Sequence, residues 1–120
     1  MRTTILDDPQ VLERKQLLEQ ELKRYLGLLT LHDQPDQVIV FGSLVTGEIH
    51  SDSDIDLVIV KETDLPFWQR LRAARRLLQP QVGTDLLVYT PNEFEQLRRE
   101  RPFFRDEILK KGKVVYERNR

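Results

Sequence analysis

Two short apolar runs, Val38 to Phe41 and Ile55 to Val60, constrain this chain more than any other feature. A half-exposed strand alternates polar and apolar residues, whereas apolar residues at consecutive positions suit a strand covered on both faces. Leu86 to Tyr89 makes a third run of this kind, and Lys113 to Glu117 a short final strand. Strands buried on both sides need helices on both sides, and the sequence supplies them. From Pro9, the residues Val11, Leu18, Leu22, Tyr25 and Leu29 fall along one helical stripe, with Glu13, Lys15, Glu19, Glu21 and Lys23 assigned to the remaining surface. His32 to Asp36 ends that helix with turn residues. Phe67 to Gln79 returns to helical spacing through Phe67, Leu71, Ala74 and Leu78. Thr90, Pro91 and Glu93 form a capping box that starts another helix. This helix is expected to reach about Glu100, resume after Pro102 and stop at Gly112. The order predicts an α/β or α+β fold, a small mixed sheet covered by helices.

With 120 residues, 39% of them apolar and 32% charged, the chain suits one domain with one core. Residues 1–36 would be an N-terminal helix and turn, and residues 37–117 the core that carries the chemistry. A net charge of -1 argues against general nucleic-acid binding, which needs a surplus of Lys and Arg. The absence of cysteine leaves oxygen or imidazole as the donors for any metal. Met1 to Asp8 lacks the apolar run of a signal peptide, and no stretch is long enough to span a bilayer. A cytoplasmic location without membrane partners is therefore expected.

The chemistry-bearing residues cluster at the ends of the strands. Phe41-Gly42-Ser43 closes the first, and ten residues later Asp54-Ile55-Asp56 opens the second. Positions i and i+2 of a strand share a face, so Asp54 and Asp56 are expected side by side. Adjacent carboxylates repel unless a proton or a cation lies between them, and Mg²⁺ suits such oxygen donors when phosphates complete its shell. Asp85, at the start of the third strand, would add a third carboxylate. Three such groups can bracket two metal ions about 3.5–4 Å apart for in-line phosphoryl transfer. Gly42 permits close approach of a phosphate to the main chain, and Ser43 offers a hydroxyl and an N–H. Each feature alone is commonly a plain turn or a solvated strand end; their conjunction is what points to a site. The basic run Arg70, Arg72, Arg75 and Arg76 reads first as a solvated helix face. Trp68, Phe103 and Phe104 read as core or interface, and His50 as a solvated loop residue.

Gly42-Ser43, ten residues and Asp54-Ile55-Asp56 together resemble the signature of the minimal nucleotidyltransferases, within the DNA polymerase beta-like superfamily. Asp85 to Phe94 is similar to that family's third-carboxylate strand and following helix. The resemblance spans Gln37 to Glu117, leaving the first helix as an N-terminal addition to a nucleotidyltransferase fold. It implies Mg²⁺-dependent transfer of a nucleoside monophosphate, AMP from ATP above all, to a hydroxyl with release of pyrophosphate. It implies metal ligands at Asp54, Asp56 and Asp85 and triphosphate contacts at Gly42 and Ser43. Many small members are antitoxins paired with a HEPN-domain toxin, so a HEPN-domain protein is the expected partner, with homo- or hetero-oligomers both open. The resemblance departs at Val45-Thr46-Gly47, where active antitoxins often carry Ala-Arg-Gly. The competing expectation is a binding module that neutralises its partner by complex formation without catalysis.

Overall fold

The computed structural model describes residues 8–118. Its elements are α1 (Pro9–His32), β1 (Gln37–Phe41), α2 (Ser43–Thr46), β2 (Ile55–Val60), α3 (Phe67–Leu78), β3 (Thr84–Tyr89) and α4 (Pro91–Glu100). A π-helical segment, α5 (Phe104–Leu109), and β4 (Lys113–Glu117) complete the chain. The strands form one mixed sheet in the order β3-β2-β1-β4, with β2 and β3 parallel and the other pairs antiparallel. The expected α+β class and mixed sheet are what the chain adopts.

Consecutive apolar residues become two half-cores, one on each face of the sheet. Val38, Val40, Ile55, Leu57, Ile59, Leu86 and Val88 pack with Leu18, Tyr25 and Leu29 of α1 and Leu78 of α3. Ile39, Val58 and Val60 face the other way, against Phe104 and Ile108 of α5, with Phe94 and Leu97 of α4 alongside. Period-2 alternation thus survives inside each apolar run, hidden because both faces are covered. The α5 segment brings both Phe104 and Ile108 onto the sheet, and its Lys110 N–H reaches back five residues to Arg105 O at 3.1 Å. Regular helix was expected there, and the wider turn is the difference. Among the described residues no helix is long and apolar enough to cross a membrane.

Local chemistry explains the helix ends. Asp8 caps α1 by accepting from Gln10 N–H at 2.8 Å, with Pro9 at the first turn. Thr90 and Glu93 make the expected reciprocal capping box of α4. Glu93 also takes Arg70 Nη1 at 2.6 Å, and Arg75 Nη2 donates to Thr84 O at 2.8 Å, so two arginines of the basic run are structural. Of the three aromatics, Phe104 is buried, while Trp68 and Phe103 are exposed.

The stripe on α1 is less apolar than expected. Glu21, assigned above to the solvated surface, is only 5% exposed. It accepts Arg24 Nε at 2.7 Å, Arg24 Nη2 at 2.9 Å and the backbone N–H of Gln81 at 2.7 Å. These donors, the Arg24 guanidinium foremost, hold its carboxyl down at about 2 against the opposing effect of burial. The reason for the misplacement is geometric. Positions 14, 18, 21, 25 and 29 step by three or four, so Glu21 lies on the buried stripe and needs a partner there rather than water. Glu21→Ala should lower the unfolding free energy by about 2 kcal/mol, less than a fully buried pair because Arg24 retains water access. Urea titration at neutral pH measures it, and the loss should shrink as pH falls toward the native pKa of Glu21, where its ionic contribution disappears.

Candidate active site

Register places the acidic residues. Asp56 pairs with Asp85 across the parallel β2–β3 ladder and with Phe41 across the antiparallel β1–β2 ladder. The row Phe41, Asp56, Asp85 therefore runs across three strands, on the face that carries Ile39, Val58 and Leu87 in the next row. α4 and α5 cover that next row, and the polar row extends past it. Asp85 is exposed, and Asp56 is partly buried between its neighbours.

Gly42 stands at the corner where β1 ends. Its backbone has φ 74° and ψ -148°, a conformation that L side chains rarely adopt, and a Cβ there would overlap Asp56 Oδ2. Glycine is thus demanded both by the turn and by the carboxylate it faces. Ser43 begins α2, whose ladder starts with Val45 N–H on Gly42 O at 3.0 Å. The N–H groups of Ser43 and Leu44 precede that ladder. Gly42 thereby sits against Asp56, with Ser43 next to it in the chain.

Asp54 behaves differently from the expected side-by-side pair. It precedes β2, and its Oδ1 leans against Gly83, where a Cβ would collide with it. Arg14 Nη2 of α1 lies 3.8 Å from the same oxygen, while Arg14 Nε donates to Ser53 O at 2.9 Å. Asp85 is the second residue of β3, at the start of that strand as expected. The structure thus brings Asp56 and Asp85 together and holds Asp54 to one side. Among the described residues no three acidic or imidazole side chains converge as ligands of a single ion. His50 is exposed, and its backbone N–H bonds to Ser53 Oγ at 2.8 Å. Ile49 anchors the same loop in the core at 1% exposure, which its polar surroundings in the sequence conceal.

Electrostatics record the crowding. Burial pushes the Asp56 carboxyl up to about 6, helped by its hydrogen bond with Asp85 and by the charges of Asp85 and Asp54. Asp56 therefore keeps its proton to a higher pH than an ordinary carboxyl does. A hard cation relieves the same repulsion, so the donor set fits a dication bound by oxygen.

The sequence of residues 12–120 matches the family model described as polymerase beta, nucleotidyltransferase. The chain belongs to that family. Solved structures agree in fold. A protein assigned as a nucleotidyltransferase from Sulfolobus solfataricus superposes with TM-score 0.66 at 17% identity, over 92% of this chain and 90% of the other. A toxin-antitoxin structure with AMP-PNP gives 0.53 at 20% identity, over 81% and 73%. A structure assigned as a minimal nucleotidyltransferase gives 0.50 at 28% identity, over 80% and 93%. Comparison with curated proteins yields no match.

Family membership makes the missed residues informative. Arg14 and Gly83 both touch Asp54, yet neither stood out in the sequence. Arg14 extends the stripe of Leu18 and Tyr25 by one turn, and Gly83 immediately precedes β3; those positions were the available signals.

The raised pKa of Asp56 carries a stability consequence. The native protein binds this proton more tightly than the unfolded chain, whose carboxylates titrate near 3.9. The contribution is therefore present below that value and lost as pH climbs through about 6. Asp56→Asn, which keeps the shape and removes the charge, should raise stability above that pH by about 1 kcal/mol once solvent screening is allowed for. Denaturation midpoints followed across this pH range should rise in the variant relative to wild type, and equal midpoints at pH 8 would contradict the assignment.

Proposed function

We propose that this nucleotidyltransferase-family chain, with residues 1–120 as one domain, transfers AMP from ATP to a hydroxyl of a partner protein. The observation that carries the reading is the in-register pair Asp56 and Asp85 beside the Gly42-Ser43 turn. Asp54, Asp56 and Asp85 would hold Mg²⁺, two ions in the fullest form, which supplies the positive charge that a triphosphate needs in this acidic setting. Asp54 must turn from Arg14 to join them.

The chain's own residues supply the rest. Gly42 and Ser43 offer main-chain N–H and hydroxyl donors to the β- and γ-phosphate oxygens, leaving the α-phosphorus accessible. The acceptor oxygen attacks that phosphorus, the bond to the bridging oxygen breaks, and pyrophosphate departs with the electron pair. Asp85, which is exposed, would take the acceptor's proton, while Asp56, wedged against Gly42, would stay with the nucleotide. Rate acceleration then comes from positioning and charge stabilisation.

A macromolecular acceptor is supported by the exposure of Asp54 and Asp85, which leaves the carboxylate row open to a partner's surface. The neighbour described as a toxin-antitoxin structure with AMP-PNP supports a protein partner and a nucleotide together. A HEPN-domain protein, with this chain as antitoxin in the cytoplasm, is the partner we favour.

Thermal denaturation should show ATP raising the midpoint only when a divalent cation is present, because a ligand stabilises only the state that binds it. The double variant Asp54→Ala, Asp56→Ala should lose that response while remaining folded. Labelled ATP, Mg²⁺ and the protein encoded beside this one should yield label on a Tyr, Ser or Thr of that partner, and Asp85→Asn should abolish it. Equal stabilisation by ATP in EDTA refutes the metal dependence. Tight association of the two proteins without any label transfer would replace catalysis with neutralisation by binding.

A further inference from the structure

Four polar side chains of α1 reach the two segments that deliver the carboxylates. Arg14 Nε holds Ser53 O at 2.9 Å, immediately before Asp54. Two turns along the helix, Glu21 accepts Gln81 N–H at 2.7 Å, and Arg24 Nη2 donates to Gln79 O at 3.1 Å. Tyr25 OH meets Thr84 Oγ1 at 2.7 Å, next to Asp85. The two segments also meet each other, through Ile55 N–H on Gly83 O at 3.0 Å and the close packing of Gly83 on Asp54.

These contacts are costly places to put polar groups. Tyr25 is fully buried and Glu21 nearly so, in a stripe shared with Leu18 and Leu29. Simple adhesion of α1 to the sheet is already provided by Leu18 and Leu29. Directional bonds add what apolar packing lacks, a fixed register between the helix and two particular backbone segments. Those segments lead directly into Asp54 and Asp85.

We propose that α1 is a positioning element of the carboxylate site: Arg14 fixes the segment ending at Asp54, and Glu21 with Tyr25 fixes the turn before Asp85. One rigid helix thereby sets the separation of the outer two carboxylates, with Asp56 between them. The inference rests on the metal-binding reading given above, and it concerns how the chain prepares the site. Arg14 acts through Ser53, and Tyr25 through Thr84; neither is assigned contact with the reacting atoms.

Three variants test it. Arg14→Lys keeps the charge but loses the guanidinium fork, Arg14→Gln loses both, and Tyr25→Phe removes one hydroxyl while keeping the ring. Amide hydrogen exchange on the metal-free protein should speed up at residues 53–55 in both Arg14 variants and at 79–85 in Tyr25→Phe. Mn²⁺ affinity, read by electron paramagnetic resonance, should fall about tenfold or more in each, the usual cost of losing a residue that orients metal ligands. A guanidinium acting only as a nearby positive charge gives opposite results. Arg14→Lys would then match wild type and Arg14→Gln would bind Mn²⁺ more tightly, and this outcome overturns the proposal. Unchanged exchange at both segments overturns it as well. A wild-type protein that takes up no Mn²⁺ refutes the metal reading of the site, and the exchange results then decide alone whether α1 holds the two segments.

Discussion

The parallel pairing of β2 with β3 puts Asp56 directly beside Asp85, and most other features of the molecule serve that register. Two carboxylates on neighbouring strands cost free energy, and a chain free to choose would slide the strands apart. It cannot slide by one residue, because Leu57, Ile59, Leu86 and Val88 would exchange faces with Val58, Val60 and Leu87. Apolar packing on both faces thus holds a repulsive pair in place. The strain emerges where it can be useful, as a proton held more tightly than an ordinary carboxyl holds one.

The Gly42 corner depends on the same register from the other side. β1 runs antiparallel to β2, so the end of β1 coincides with the beginning of β2, and Phe41 opposes Asp56. The turn that must follow β1 is therefore forced against the carboxylate, with no room for a side chain. The glycine turn and the acidic start of β2 are thus brought together by topology.

This logic also explains what could be read in advance. Apolar runs announced the buried strands, Thr90, Pro91 and Glu93 announced α4, and the spacing of Gly42, Ser43, Asp54 and Asp56 announced a shared strand end. Those signals are local, since each depends on residues no more than fourteen positions apart. The position of Asp54 was hidden because it is decided by Arg14 and Gly83, residues 40 positions upstream and 29 downstream in the chain. Glu21 was misjudged because charge was weighed above helical position. Its place between Leu18 and Tyr25 already put it on the inner stripe. The wide turn of α5 has no comparable signature, since Phe104 and Ile108 stand at a spacing that an ordinary helix also accommodates.

What remains is why a helix that appears additional by motif should be bonded so specifically to the core. A site made from two segments faces a difficulty that a site on one element does not: Asp54 and Asp56 ride on the start of β2 and Asp85 on the start of β3, and small shifts between them accumulate. The sheet ladder fixes Asp56 to Asp85 directly. It does not fix Asp54, which lies one residue outside β2 and beyond the last rung. Something outside the sheet must restrain that residue, and it must be referenced to the same frame as β3. A helix crossing both approaches satisfies the two conditions at once, because a helix is stiff along its axis and its side chains recur at a fixed spacing. Arg14 and Tyr25 stand on one stripe of such a helix. The family match, which begins at residue 12 and so takes in most of α1, is consistent with this helix belonging to the catalytic unit.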